Sequence, residues 1–184
     1  MWFGMKYKIN EIFYSIQGEG FYTGTPAVFI RFSGCNLNCD FCDTAHESYK
    51  EYNIKEIYDK IKSYPSKRIV LTGGEPFLQT DKALVNFLHS KDYLIHCETN
   101  GSINKKLDID WLTVSPKKNW KLKTGNELKV VYHGQNLSQY LDSKFNYYYL
   151  QPMSMQNIKK TINTVKENPK WSLSVQIQKL LKVK

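Results

Sequence analysis

Three of the four cysteines in this 184-residue chain fall within one short stretch, "GCNLNCDFCDT" (34–44). Cys35 and Cys39 are three residues apart, Cys39 and Cys42 two, and Cys97 lies far downstream. A disulfide framework spreads its cysteines, whereas thiolates that share a metal centre must project into one small volume, which short loop spacings achieve. Three such ligands leave a coordination position open, as catalytic centres tend to do. The competing reading is a structural zinc site completed by Cys97 or His46. Zinc modules usually bring two pairs of ligands, and the partner pair is missing here. Cys97 itself reads as a buried strand cysteine.

A second segment, "TGGEP" (72–76), has two glycines that let the backbone approach a ligand closely. Its carbonyls and Glu75 can accept from an ammonium group. Taken alone, the same residues describe an ordinary strand-to-helix turn.

Stepping out to the elements that carry these segments, hydrophobic periodicity gives an α/β order. Strands are expected at 27–32, 68–71, 93–97, 111–114, 128–132 and 146–150, with "WSLSVQI" (171–177) as a closing strand. Helices are expected over "NIKEIYDKIKSY", where Ile54, Ile57, Tyr58 and Ile61 share a face, over "TDKALVNFLHS", and over "MQNIKKTINTVKE". Such alternation implies parallel strands joined by right-handed crossovers. Every glycine-bearing or polar motif follows the C-terminal end of a strand, the rim on which a barrel or half-barrel builds its site.

Composition bounds the alternatives. With 41% hydrophobic and 23% charged residues the chain has the makings of a folded core and not of a disordered tail. Its longest apolar runs, "AVFI" and "RIVL", are strand-sized, which excludes a membrane span, and "MWFGMKYKIN" lacks the apolar stretch of a signal peptide. A cytoplasmic location is therefore expected, where clustered thiols serve metal or redox chemistry. Net charge is +9, from 26 Lys and Arg against 17 Asp and Glu. The basic residues are scattered, with a small group at Lys117, Lys118, Lys121 and Lys123. No basic helix or RNA-binding signature accompanies them, so direct nucleic-acid binding is not expected.

The ordered set "SIQGEG", "RFSGCNLNC", "CDT", "TGGEP", "ETNG", "SPK" and "QPM" resembles the radical S-adenosylmethionine superfamily and, over nearly the whole chain, its 7-carboxy-7-deazaguanine synthase family. The resemblance implies a pruned, partial (βα)6 half-barrel in one domain over 1–184. Its parts would be an N-terminal strand and substrate segment at 8–24, a cluster loop at 33–44, and a closing strand and tail at 172–184. It implies a lyase of queuosine and 7-deazapurine biosynthesis that converts 6-carboxy-5,6,7,8-tetrahydropterin to 7-carboxy-7-deazaguanine with loss of ammonia. A flavodoxin-type donor would reduce the cluster, and S-adenosylmethionine would supply the radical that takes hydrogen from the pterin. A homodimer is the implied assembly.

Residue by residue, the resemblance implies that Cys35, Cys39 and Cys42 hold a [4Fe-4S] cluster and that Thr44 binds Mg2+. Phe41, Asp43, Gly74, Glu75, Glu98, Ser115, Lys117, Gln151 and Ser154 fall where the family contacts S-adenosylmethionine. Ile16, Gln17, Gly18, Glu19, Arg31, Thr72 and the terminal Lys184 fall where it contacts the pterin. An arginine fork can pair with a carboxylate bidentately, and an amide can both donate and accept, so Arg31 and Gln17 suit a planar acid. The chain departs from the family at its end, where "QIQK" replaces "QTHK" and Gln178 stands in place of histidine. Two rivals remain open on sequence grounds. One is a glycyl-radical activating enzyme acting on a protein partner, and the other a zinc-stabilised binding module without catalysis.

Overall fold

A computed structural model describes residues 4–184, with the side chain of Ser154 outside the description. Among the described residues nine strands form one sheet. β1 (Tyr7–Ile16) runs antiparallel to β2 (Pro26–Phe32), and β3 (Lys50–Tyr52) adds antiparallel to the far edge of β1. From β2 the sheet continues in chain order with every pair parallel. The further strands are β4 (Arg68–Gly73), β5 (Leu94–Thr99), β6 (Trp111–Val114), β7 (Thr124–Tyr132), β8 (Lys144–Pro152) and β9 (Ser172–Leu173). Sequential parallel order with open edges is the pruned α/β half-barrel that the sequence led us to expect.

Alternation along each strand separates two faces. On β4, Ile69 and Leu71 join the main core while Val70 and Thr72 face the other way, and on β7 Leu128 and Val130 do the same beside Glu127 and Lys129. Helices cover the core face. α1 (Ile54–Ile61) buries Ile54, Ile57 and Ile61, and α2 (Lys82–His89) buries Leu84, Val85 and Leu88, the spacings of one helical stripe. Asn53 starts α1 with a capping box, its side chain accepting from Glu56 N at 3.0 Å while the Glu56 carboxylate accepts from Asn53 N at 2.7 Å. Asp81 caps α2 through Leu84 N at 2.8 Å and accepts from the buried Tyr7 hydroxyl at 3.0 Å, tying the helix to β1.

Two expectations need correction. Not all strands are parallel, because β1 and β2 are joined by a hairpin loop too short for a crossover. The three expected helices all form, and the middle strands are joined without further ones. β5, β6 and β7 follow one another through loops, only a 3-10 turn at Ser138–Tyr140 separates β7 from β8, and α3 (Ile158–Glu167) joins β8 to β9. Aromatic side chains cover that flank instead: Trp120, Tyr140, Tyr148 and Trp171 pack with ring centroids 5.4 to 6.0 Å apart. Finally, "WSLSVQI" stays in the sheet for only Ser172 and Leu173 before the chain turns into α4 (Ile177–Leu181). Ile177 N donates to Gly18 O at 3.0 Å, so the backbone group that would extend the ladder is captured by the β1–β2 loop.

Candidate active site

The concave face of the sheet and the loops after its parallel strands enclose a cavity of about 370 Å3. Every site residue expected from the sequence lines it, apart from Glu75 and Ser154. Ser154's side chain lies outside the described residues.

Cys35, Cys39 and Cys42 form one wall as free thiols. Their loop is held against the β4 turn by backbone bonds from Gly74 N to Phe32 O at 3.2 Å and from Glu75 N to Gly34 O at 3.0 Å. A Cβ on Gly74 would collide with Gly34 O, and Gly73 has φ 133°, a region that side chains avoid, so both glycines are required for this approach. Leu37 N lies 3.4 Å from Cys35 Sγ, and Asn100 Nδ2 lies 3.9 Å from it. Burial raises the Cys39 thiol while the Lys117 ammonium opposes it. Free thiols on one wall, with N–H donors and a cation turned toward them, are the donor chemistry of a polythiolate iron–sulfur cluster. Cys97 is sealed in the core, so it does not complete a zinc site with the three loop cysteines.

Glu75 departs from expectation. Its carboxylate is fully buried and turned away from the cavity, accepting from Phe77 N at 2.9 Å, Thr99 Oγ1 at 2.7 Å and Asn100 N at 2.7 Å. Burial raises its pKa against those hydrogen bonds. It ties the β4 turn to the "ETNG" turn through these three bonds and is not among the residues lining the cavity.

A buried charge network lines the same cavity. Lys129 of β7 places its ammonium 2.5 Å from Glu19 Oε2 and 3.5 Å from Glu98 Oε1. Glu19 Oε1 accepts from Gln176 Nε2 at 2.7 Å and Gln178 Nε2 at 3.0 Å. Burial alone would raise the Glu19 carboxyl, but the charge and hydrogen bond of Lys129 outweigh it and hold the group below the usual range. Lys129 is likewise held above its usual range by Glu19, Glu98 and Glu127 despite burial. Glu98 accepts from Gln17 Nε2 at 3.0 Å and from Thr72 Oγ1 at 3.4 Å, two residues expected to contact the pterin.

Arg31 lines the cavity while its Nε pairs with Glu11 at 3.1 Å, and Lys184 pairs with the second oxygen of Glu11 at 2.7 Å. Lys117 donates to Ser115 Oγ at 2.8 Å, and burial lowers its pKa. Thr44 Oγ1 lies 3.5 Å from Asp43, whose carboxylate is paired with Lys179 at 2.5 Å. The tail thus spans the cavity mouth from the substrate segment to the cluster loop. Sequence reasoning missed Lys129, Asn100, Gln176 and Lys179. Only Lys129 left a signal, a lysine inside the apolar strand "LKVVY", where a buried charge demands partners.

Comparison with known proteins agrees with this geometry. Residues 29–167 match the family model described as the radical SAM superfamily. The chain is 48% identical over 98% of its length to the whole of a 7-carboxy-7-deazaguanine synthase of Bacteroides thetaiotaomicron. It is 39% identical over 97% of its length to the whole of one from Burkholderia multivorans. Among solved structures, that of QueE from Escherichia coli superposes with a TM-score of 0.82 at 28% identity, covering 93% of this chain and 94% of that one.

Proposed function

The chain belongs to the radical SAM superfamily and, within it, to the 7-carboxy-7-deazaguanine synthases, and from that premise we propose how its residues divide the work. The protein is a lyase of queuosine biosynthesis. Its substrate on this reading is 6-carboxy-5,6,7,8-tetrahydropterin and its product 7-carboxy-7-deazaguanine.

Cys35, Cys39 and Cys42 would hold a [4Fe-4S] cluster beside the S-adenosylmethionine site. When bound, the two supply the radical that starts the rearrangement. Phe41, Gly74, Ser115, Lys117 and Gln151 cradle the S-adenosylmethionine, with the Lys117 ammonium serving its carboxylate. Gln17, Glu19, Glu98 and Thr72 read the donor-rich edge of the pterin, and Arg31 takes its carboxylate through the terminal nitrogens left free by Glu11. Thr44 would contribute one hydroxyl to a Mg2+ ion. The tail, through Gln176, Gln178 and Lys184, closes the cavity and excludes water. A homodimer in the cytoplasm, reduced by a flavodoxin-type donor that the +9 charge helps to attract, completes the reading.

The observation that carries it is that the three thiols and the Glu19–Lys129–Glu98 charge network line one cavity. The test is an anaerobic assay of the iron- and sulfide-reconstituted protein with dithionite, S-adenosylmethionine, Mg2+ and the pterin, read by mass spectrometry. Formation of 7-carboxy-7-deazaguanine, lost in Cys35→Ala, supports the reading. Cleavage of S-adenosylmethionine with the pterin untouched overturns the substrate.

A further inference from the structure

We propose that Asn100 is a positioning residue that donates a side-chain N–H to the Cys35 sulfur and thereby raises the reduction potential of the cluster that sulfur holds. The proposal rests on the assignment of Cys35, Cys39 and Cys42 as cluster ligands.

The orientation of this amide is determined by its surroundings. Ser102 N donates to Asn100 Oδ1 at 2.9 Å, which makes that atom the oxygen and turns Nδ2 toward the cysteine loop. Nδ2 has two hydrogens and two acceptors, Asn36 Oδ1 at 3.1 Å and Cys35 Sγ at 3.9 Å. Asn36 sends its own amide elsewhere, to Ser102 Oγ at 2.9 Å. The backbone is anchored from behind by Asn100 N, which donates 2.7 Å to the buried Glu75 carboxylate. With 9% of its surface exposed, Asn100 is a rigid, nearly dry donor at the edge of the cavity, the setting in which a hydrogen bond to sulfur has most effect.

A donor to a ligating thiolate stabilises the more negative, reduced state of a cluster, and losing it lowers the potential. Two variants separate this from a structural role. Asn100→Ala removes both the donor and the acceptor for Ser102 N. Asn100→Asp retains the acceptor but faces the sulfur with an oxygen.

The experiment is an EPR-monitored potentiometric titration of the reconstituted protein and both variants, each with iron and sulfide counted per chain. The expected result is a midpoint more negative than wild type in Asn100→Ala and more negative still in Asn100→Asp. Equal midpoints at equal cluster content would overturn the proposal while leaving the ligand assignment intact. A wild-type protein that binds no reducible cluster would overturn both. A second measurement needs no stable variant: pulsed EPR of the reduced wild-type cluster carrying isotopically labelled asparagine side-chain nitrogen should show a coupling to that nitrogen, and its absence overturns the proposal.

Discussion

The ammonium of Lys129 lies 2.5 Å from the carboxylate of Glu19, a residue 110 positions away in the chain, and the pair is buried beneath the cavity. Removing one member of a buried pair leaves the other uncompensated, at a cost of about 3–5 kcal/mol. Lys129→Met should therefore lower the melting temperature by on the order of 10 °C. Because the Glu19 carboxylate then loses the charge that holds it ionised and in place, the KM for the pterin should rise as well. Thermal melts with steady-state kinetics would check this, and a variant with wild-type KM would remove the pair from substrate binding.

Gly74→Ala tests the contact between the β4 turn and the cysteine loop. The new methyl meets the backbone oxygen of Gly34, which has no rotamer by which to yield. Overpacking of this kind costs about 1–3 kcal/mol, too little to unfold the domain but enough to shift the loop. Iron and sulfide bound per chain should fall while the circular dichroism spectrum is retained.

The Lys179–Asp43 pair is accessible on both sides, with side-chain exposures of 38% and 46%. Exposed pairs contribute about 0–1 kcal/mol, so Lys179→Ala should move the melting temperature by less than about 4 °C. Since the pair bridges the tail to the cluster loop, limited proteolysis near Lys182 should quicken. An unchanged digestion rate would show that the tail's other contacts, through Gln176, Ile177, Gln178 and Lys184, suffice to hold it.

His96 carries a pH dependence whose sign can be worked out. Burial first, and the neighbouring Arg68 charge second, push its pKa from 6.5 down to about 3, against the pull of Asp110. Between those values the unfolded chain binds the proton and the folded one does not. Stability is therefore full above pH 6.5 and drains as pH falls toward 3, with a slope approaching about 1.4 kcal/mol per pH unit. In His96→Phe this share of the acid sensitivity should disappear, as denaturant melts from pH 7 to 4 would reveal.

Gln178 and Arg31 illustrate how far a single chain can be read before it folds. The cysteine spacing, the alternation of strands and helices, and the gathering of motifs at strand ends were legible because each depends on neighbours a few residues apart, through turn chemistry and side-chain period. Arg31 was legible as a cavity residue for the same reason, lying one step before the loop that β2 feeds. Its partner Glu11 was not, since register between β1 and β2 decides which acidic residue it meets.

What the amino-acid order determined by itself, then, was the cysteine loop, the α/β half-barrel and the rim on which the site stands. Tertiary structure alone decided how the charges are shared. It turned Glu75 inward to satisfy three buried donors, brought Lys129 beneath Glu19 and Glu98, and drew the tail out of the sheet across the cavity. The physical reason is that local pattern specifies where a strand or turn forms, whereas the partner of a buried polar group is whichever donor or acceptor packing leaves unsatisfied beside it.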